Sequence, residues 1–425
     1  MTINTTLEYA KQLDENDPLA YMRNHFSIPK QENGEEEYYF TGNSLGLQPI
    51  LAKEAVMEVL DAWQERGVKG HFEGDYPWMP YHEFLTEHAS RLVGSLPKEV
   101  VMMNSLTANL HLMMVSFYQP SGKRTKILIE DHAFPSDHYA VESQLKHHHL
   151  NVDENMLLWQ PRQAEELLNH DDLYQLIEEH GDEIALILLP GVQYYTGQVL
   201  DMKTITEKAH AKGIKVGFDL AHAVGNIELN LHDWQVDFAC WCSYKYLNSG
   251  AGSVAGCFVH QQHVENKKLN RFAGWWGHDK STRFKMENQF QAIPSAEGWQ
   301  LSNPPVLSLA AVRGSYETIE LAGGMKPLRE KSLKLSGYLR SLLAAELGEK
   351  IRVITPNNEA EYGCQLSIMI NVDGLDGKAM FNAIEARGVT TDWREPNVIR
   401  VAPVPLYNSF ADCYHFVRIL KECIA

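Results

Sequence analysis

Asp219 and Lys245 are the residues whose types and surroundings point most directly to chemistry. Asp219 ends the run Gly213-Ile-Lys-Val-Gly-Phe-Asp219 and is followed by Leu220-Ala-His222. Lys245 ends a second run, Val236-Asp-Phe-Ala-Cys-Trp-Cys-Ser-Tyr244-Lys245. Both runs read as strands, and in open parallel sheets ligands bind beyond the carboxyl ends of strands. An acid there, with a histidine three positions on, is well placed to meet a ring; an Asp that merely caps a turn is the plain alternative. A lysine at an apolar strand end loses hydration, which disfavours its ammonium form and makes the amine nucleophilic. A solvated lysine at a strand terminus is the corresponding alternative. Together the two supply what pyridoxal phosphate (PLP) asks of a protein, an amine for its aldehyde and an acid for its pyridine nitrogen.

Other segments add to this pair. Asn104-Ser105-Leu106-Thr107 precedes Leu110, Met113, Met114 and Phe117, which share one helical face. Ser105 is placed as an N-cap. The first N–H groups of that helix suit a phosphate, or the helix is an ordinary capped one. Phe134-Pro-Ser136-Asp137 follows another strand run, and its aromatic either stacks on a pyridine ring or packs in the core. Arg400 lies in the apolar stretch Ile399-Arg400-Val401, where a guanidinium is costly unless paired. Its planar fork suits a substrate carboxylate or an internal salt bridge equally. The glycines of Ser249-Gly250-Ala-Gly252-Ser-Val-Ala-Gly256 miss the dinucleotide fingerprint by one position and precede a strand. A nicotinamide site is therefore set aside, and close backbone packing beside the lysine is the expectation. His147-His148-His149 reads as a solvated turn, because three adjacent side chains cannot face one ion from regular structure; no metal site is expected.

These residues need elements to hold them. Runs rich in branched residues read as strands at Lys126–Glu130, Ile184–Leu189, Lys215–Asp219, Phe238–Ser243 and Val254–Val259. Helical patterns lie between several of them, as at Leu106–Tyr118 and Met202–Lys212. Such alternation predicts a mostly parallel sheet with helices on both faces. A long helical stretch covers 305–346. Beyond it come strands at Gln365–Val372 and Val398–Ala402 and helices at Gly377–Arg387 and Ser409–Cys423, an α+β pattern. The division expected is an N-terminal arm over 1–50 joining the small domain, a large domain over 51–320 and a small C-terminal domain over 321–425.

Composition narrows the partners. The 425 residues carry a net charge of −17, which disfavours nucleic acid or an anionic membrane surface. No stretch approaches a membrane span in apolar length, and Met1 to Asp17 lacks an apolar signal core. Cys240, Cys242, Cys257, Cys364, Cys413 and Cys423 follow neither a redox nor a zinc spacing, which fits reduced thiols in the cytoplasm.

Several long motifs carry a resemblance. Leu106-Thr-Ala-Asn-Leu-His-Leu, Phe134-Pro-Ser-Asp-His-Tyr, Tyr195-Thr-Gly-Gln and Gly217-Phe-Asp-Leu-Ala-His-Ala-Val-Gly-Asn resemble kynureninase. So do Trp241-Cys-Ser-Tyr-Lys-Tyr-Leu-Asn, Gly274-Trp-Trp-Gly-His278, Leu301-Ser-Asn-Pro-Pro305 and Ile399-Arg-Val-Ala-Pro-Val-Pro-Leu-Tyr407, in order from about residue 40 to the end. The resemblance implies the α/β, fold-type-I PLP architecture of aspartate aminotransferase, working as a homodimer. It implies hydrolytic Cβ–Cγ cleavage of L-kynurenine or its 3-hydroxy form, in tryptophan degradation or NAD precursor supply. It assigns Lys245 to the covalent bond with PLP, Asp219 to the pyridine nitrogen, and Asp137 and His222 to places nearby. Phe134 would stack on the ring, with Pro135 and Ser136 beside it, and Leu106 and Thr107 would hold the phosphate. Tyr244 would touch the phosphate and relay protons. Trp275 and Asn303 would complete the site from the partner subunit, and Arg400 would hold the α-carboxylate. His71, Ser302 and Asn303 match positions that favour 3-hydroxykynurenine. One departure is Pro190, where some relatives carry a serine. Two other readings stay open: a PLP enzyme of the same fold such as a cysteine desulfurase, which needs a mobile cysteine, and a non-catalytic relative.

Overall fold

The computed structural model describes residues 4–266 and 268–424. Its central sheet has seven strands: β1 (Val100–Met102), β2 (Lys126–Glu130), β3 (Met156–Trp159), β4 (Ile184–Pro190), β5 (Lys215–Asp219), β6 (Phe238–Trp241) and β7 (Gly256–Val259). Their order across the sheet is β1-β7-β6-β5-β4-β2-β3. β7 alone among these runs in the direction opposite to the other six. The near-continuous apolar runs follow from burial on both faces, the usual state of parallel strands. In β4, Ile187 and Leu189 pack into the core on one face while Leu186 and Leu188 pack into the core on the other. Leu110, Met113, Met114 and Phe117 of helix α1 (Leu106–Phe117) fill the second of these.

The carboxyl ends of β2, β4 and β5 stop near one level. Pro190 of β4 pairs with Asp219 of β5 in register, which brings strand-end polar residues together. The sequence boundaries for β2 and β5 match, and those for β4, β6 and β7 differ by one or two residues at an end. The short strands β1 and β3 carried too few residues for the alternating pattern to reveal them.

The glycine run next to Lys245 serves turns more than packing. Gly250 and Gly252 adopt φ of +87° and +74° with open space where a Cβ would lie; a left-handed turn, not close approach, explains them. Only Gly256 meets the packing expectation, since a Cβ there would sit 2.1 Å from the Trp241 ring.

A four-stranded antiparallel sheet forms the second layer system: β8 (Ile351–Val353), β9 (Leu366–Ile370), β10 (Asp392–Arg394) and β11 (Val398–Val401), ordered β8-β9-β11-β10. Leu339, Leu342 and Leu343 of helix α2 (Met325–Leu347) and Phe416 and Leu420 of helix α3 (Phe410–Ile424) complete its core. The N-terminal arm is shared rather than confined to this body. Asp14 accepts from the N–H groups of Phe410 and Ala411 at 2.7 and 3.0 Å, capping α3, and Tyr38-Tyr39 pairs with Val389-Thr390. Leu19, Met22, Phe26 and Leu47 instead enter the main core, because the arm threads between the two bodies. No helix among the described residues is long and apolar enough to cross a membrane. His147 ends its helix, the His148 ring packs edge-on against Tyr118 at 5.2 Å, and His149 turns at φ +58°.

Away from the strand ends, buried Asp237 ties three elements together. It accepts from His263 at 2.6 Å, His210 at 2.8 Å, Lys215 at 2.9 Å and the Val216 N–H at 2.8 Å. Despite burial, these donors hold its carboxyl far below the usual range. A depressed folded-state pKa stabilises the fold above the unfolded value near 4, and that contribution is lost as pH falls. Asp237→Asn is therefore expected to cost about 3 kcal/mol at pH 7. In thermal melts its deficit against wild type should shrink as pH drops below about 4; a deficit independent of pH would refute the ion-pair account.

Candidate active site

Helix start, strand ends and arm enclose a cavity of about 310 Å3 lined by Leu106, Thr107, Phe134, Ser136, Asp137, Asp219, His222, Tyr244 and Lys245. Lys245 follows β6 and is half-buried; its Nζ lies 3.0 Å from His222 Nε2. The arm supports this segment, with the Gly46 N–H donating to the Tyr244 carbonyl at 2.8 Å. His222 is pushed well below the usual histidine value, first by burial and then by the Lys245, Arg400 and Arg394 charges. It is therefore a neutral imidazole throughout the physiological range.

Asp219 and Asp137 form a buried hydrogen-bonded pair. Burial raises both. The bond between them raises Asp137 further and lowers Asp219, which also accepts from the Ala221 N–H at 2.7 Å. Asp137 is thus the member that keeps a proton, and Asp219 the one that presents a carboxylate. Burial pushes the Tyr244 phenol up, with Cys242 next in effect, so the phenol keeps its proton at neutral pH.

The residues fit PLP on the chemistry of their donors. The first turn of α1 has no acidic residue, and the Ser105 side chain makes no capping bond although Ser105 occupies the N-cap position. The first N–H groups are thereby left for an anion. Beside them the hydroxyls of Thr107 and Ser136 stand 2.9 Å apart. Amine, carboxylate and anion-binding helix start thus share one cavity.

Not every residue drawn from the sequence lines it. Pro135 sits at the first helical position after Phe134, where its fixed φ suits a helix start. Trp275 donates to Asn303 at 3.1 Å on the outer surface, with Trp275 43% exposed. Ser302 is exposed beside them, and His71 packs edge-on against Trp78 at 5.2 Å. These four are not brought to the cavity of their own chain. Arg400 is also absent from its lining. It is fully buried, donating to Asp392 at 2.6 Å and to the Tyr194 carbonyl at 2.8 Å. The internal salt bridge is the alternative realised, because a wholly buried guanidinium needs a counter-charge. Its Nε has no partner.

The sequence reading missed Arg394, Asn43, Ser44, Tyr194 and Glu130, all in the lining. Arg394 shares the Asp392 carboxylate with Arg400, at 3.2 Å. Asn43 donates to Gln365 at 2.9 Å across the arm and leaves its own Oδ1 without a partner. The turn at Gly42-Asn43-Ser44 and a carboxylate at the end of β2 were the available signals. Phe134 meets Tyr194 edge-on at 5.4 Å.

Comparison with known proteins places the chain in a family and a fold. Residues 328–420 match the profile of the kynureninase C-terminal domain, and residues 80–232 that of the DegT/DnrJ/EryC1/StrS aminotransferase family. A protein of Xanthomonas campestris pv. campestris (strain B100) named kynureninase is 51% identical over 100% of both chains. Another from Flavobacterium psychrophilum is 50% identical over 100% of this chain and 99% of its own. Among solved structures, the cysteine desulfurase CsdA of Escherichia coli superposes with a TM-score of 0.76 at 15% identity, covering 95% of this chain and 98% of that one. A cysteine desulfurase of Thermococcus onnurineus NA1 gives 0.73 at 16%, covering 91% and 94%. Those likenesses carry the fold, which is the fold-type-I architecture of PLP enzymes. With half of its residues shared along its whole length with proteins of that name, the chain belongs to the kynureninase family.

Proposed function

We infer that the protein hydrolyses the Cβ–Cγ bond of L-kynurenine or 3-hydroxy-L-kynurenine, releasing L-alanine and the matching anthranilate. The observation that carries this reading is the convergence of the Lys245 amine, the Asp219 carboxylate and the uncapped start of α1 on one cavity. Lys245, Asp219, His222, Thr107 and Ser136 would hold PLP. When bound, the cofactor supplies an electron sink conjugated to the substrate α-carbon.

The chain's own groups do the rest. The Lys245 amine takes the proton from the substrate α-carbon. Asp219 keeps the ring nitrogen protonated. Arg394, with Arg400 behind it and Asp392 between, draws the α-carboxylate to one wall. Water adds to the γ-carbonyl, its hydroxyl staying with the aryl fragment as the new carboxylate. Tyr244, a phenol with its proton, passes a proton within the site so that Cβ leaves as the alanine methyl. Tyr244→Phe is expected to lower kcat about 100-fold, with cofactor absorbance retained. Full turnover in that variant would remove Tyr244 from the relay.

The protein is further proposed to act as a homodimer, with Trp275, Asn303, Ser302 and His71 completing the partner's cavity, and to reside in the cytoplasm. The outward placement of Trp275 and Asn303 supports the shared site. Sedimentation of the PLP-loaded protein tests the dimer. The central experiment is steady-state kinetics on both substrates with PLP supplied, following anthranilate fluorescence and alanine. Sulfide release from cysteine without anthranilate would favour the desulfurase reading instead. Cys240 lies within β6 and Cys242 directly after it, both buried, and no cysteine lines the cavity among the described residues.

A further inference from the structure

Glu130 ends β2, is 1% exposed, and lines the cavity, yet the reaction outlined above does not use it. Its environment is unusual for an acid. Oε1 accepts one long hydrogen bond from Gln193 at 3.4 Å, and Oε2 has no partner. No cation pairs with it among the described residues. A buried carboxylate with one weak donor is costly, and a glutamate kept only for structure would have its oxygens satisfied. The groups that face it are acids or neutral: Asp131 on its own strand end, Asp137 on the helix after Phe134, and the Tyr194 phenol on the loop beyond β4. Asp131 in turn lies 3.6 Å from His132. Asp137 connects Glu130 to Asp219, and Lys245 is the charge that opposes both aspartates.

We propose that Glu130 is a positioning residue of the cofactor site, a third carboxyl that acts through Asp137 on Asp219 and so on the charge of the cofactor's ring nitrogen. The proposal rests on the reading of this cavity as a PLP site and names a regulator of it. Burial pushes Glu130 up to about 8, with the neighbouring Asp131 adding to the rise. At neutral pH Glu130 is therefore an uncharged acid, and the pair beyond it holds a single negative charge for the pyridinium. Above that pH a second negative charge enters the same wall. It holds the ring proton and the protonated cofactor linkage more tightly, and the cofactor reciprocally moves the titration of Glu130.

The test is a pH titration of the visible cofactor absorbance in the PLP-loaded protein. Wild type is expected to show a step that Glu130→Gln lacks, with its midpoint below about pH 8 because the protonated cofactor lowers the titration of Glu130. At pH 7 the two should bind PLP with like affinity, because glutamine mimics the neutral acid. From about pH 5 up to pH 8 wild type should lose melting temperature relative to Glu130→Gln, and the gap should stay constant above pH 8, since a carboxyl with a raised folded-state pKa costs stability from its unfolded value to its folded one. Glu130→Asp keeps an acid at a changed distance and should move the step by about one unit. A step unchanged in Glu130→Gln overturns the proposal. Should Glu130→Gln fail to fold, an unmoved midpoint in Glu130→Asp overturns it equally. Absence of any cofactor absorbance in wild type would instead sink the PLP reading itself.

Discussion

Lys245→Ala is expected to lower kcat on kynurenine on the order of 10⁴-fold. The amine has two tasks in the proposed reaction, the covalent bond to the cofactor aldehyde and the transfer of the α-proton, and no other amine lines the cavity among the described residues. The nearest base, His222, lies 3.0 Å from Nζ and is held neutral. It can accept a proton but cannot replace the covalent bond. The loss should fall on kcat and leave the fold intact, because Lys245 is half-buried and makes no ion pair there. Borohydride treatment followed by peptide mass analysis should place the reduced cofactor on Lys245 in wild type and nowhere in the variant. Turnover within tenfold of wild type would end the assignment.

The second large effect is expected from Asp219→Asn, about 10³-fold in kcat. Asn preserves the shape and still accepts from the Ala221 N–H that Asp219 holds at 2.7 Å. It removes the charge that keeps the pyridine nitrogen protonated, so the electron sink weakens while the cofactor stays bound. The buried pair makes the effect specific. Burial first, and then the bond to the Asp219 carboxylate, hold the proton on Asp137, and burial still favours the neutral acid there when that acceptor is lost. Partial rescue at lower pH would fit the account, since acid returns the proton to a pyridine nitrogen that no longer faces a carboxylate. Proton abstraction should become more limiting, seen as a larger isotope effect with α-deuterated substrate. An unchanged isotope effect with a normal rate would show that Asp219 does not face the ring.

The strand ends that carry this site are legible in the amino-acid sequence. A parallel strand buried on both faces must be apolar along its length, so Ile184–Leu189 and Lys215–Asp219 announced themselves. The polar residue that ends such a run then marks the ligand edge, which is why Asp219 and Lys245 could be singled out from local pattern alone. The start of α1 was legible for a similar reason, since helix ends have local signatures.

Residues whose meaning depends on distant partners were opaque. The chain alone left Arg400 between a substrate carboxylate and an internal salt bridge, and Asp392 eight positions earlier turns back as β10 and claims it. That leaves Arg394, which nothing local distinguishes, at the cavity. Asn43 meets Gln365 across 322 positions, and Glu130 looks like any charged strand end until burial removes its partners. Periodicity thus marked five of the seven central strands and made the lysine and its acid candidates, and the family resemblance gave them their roles. Which charges stand paired, buried or free was decided only when distant segments packed together, because electrostatic state depends on neighbours in space and chain order does not encode them.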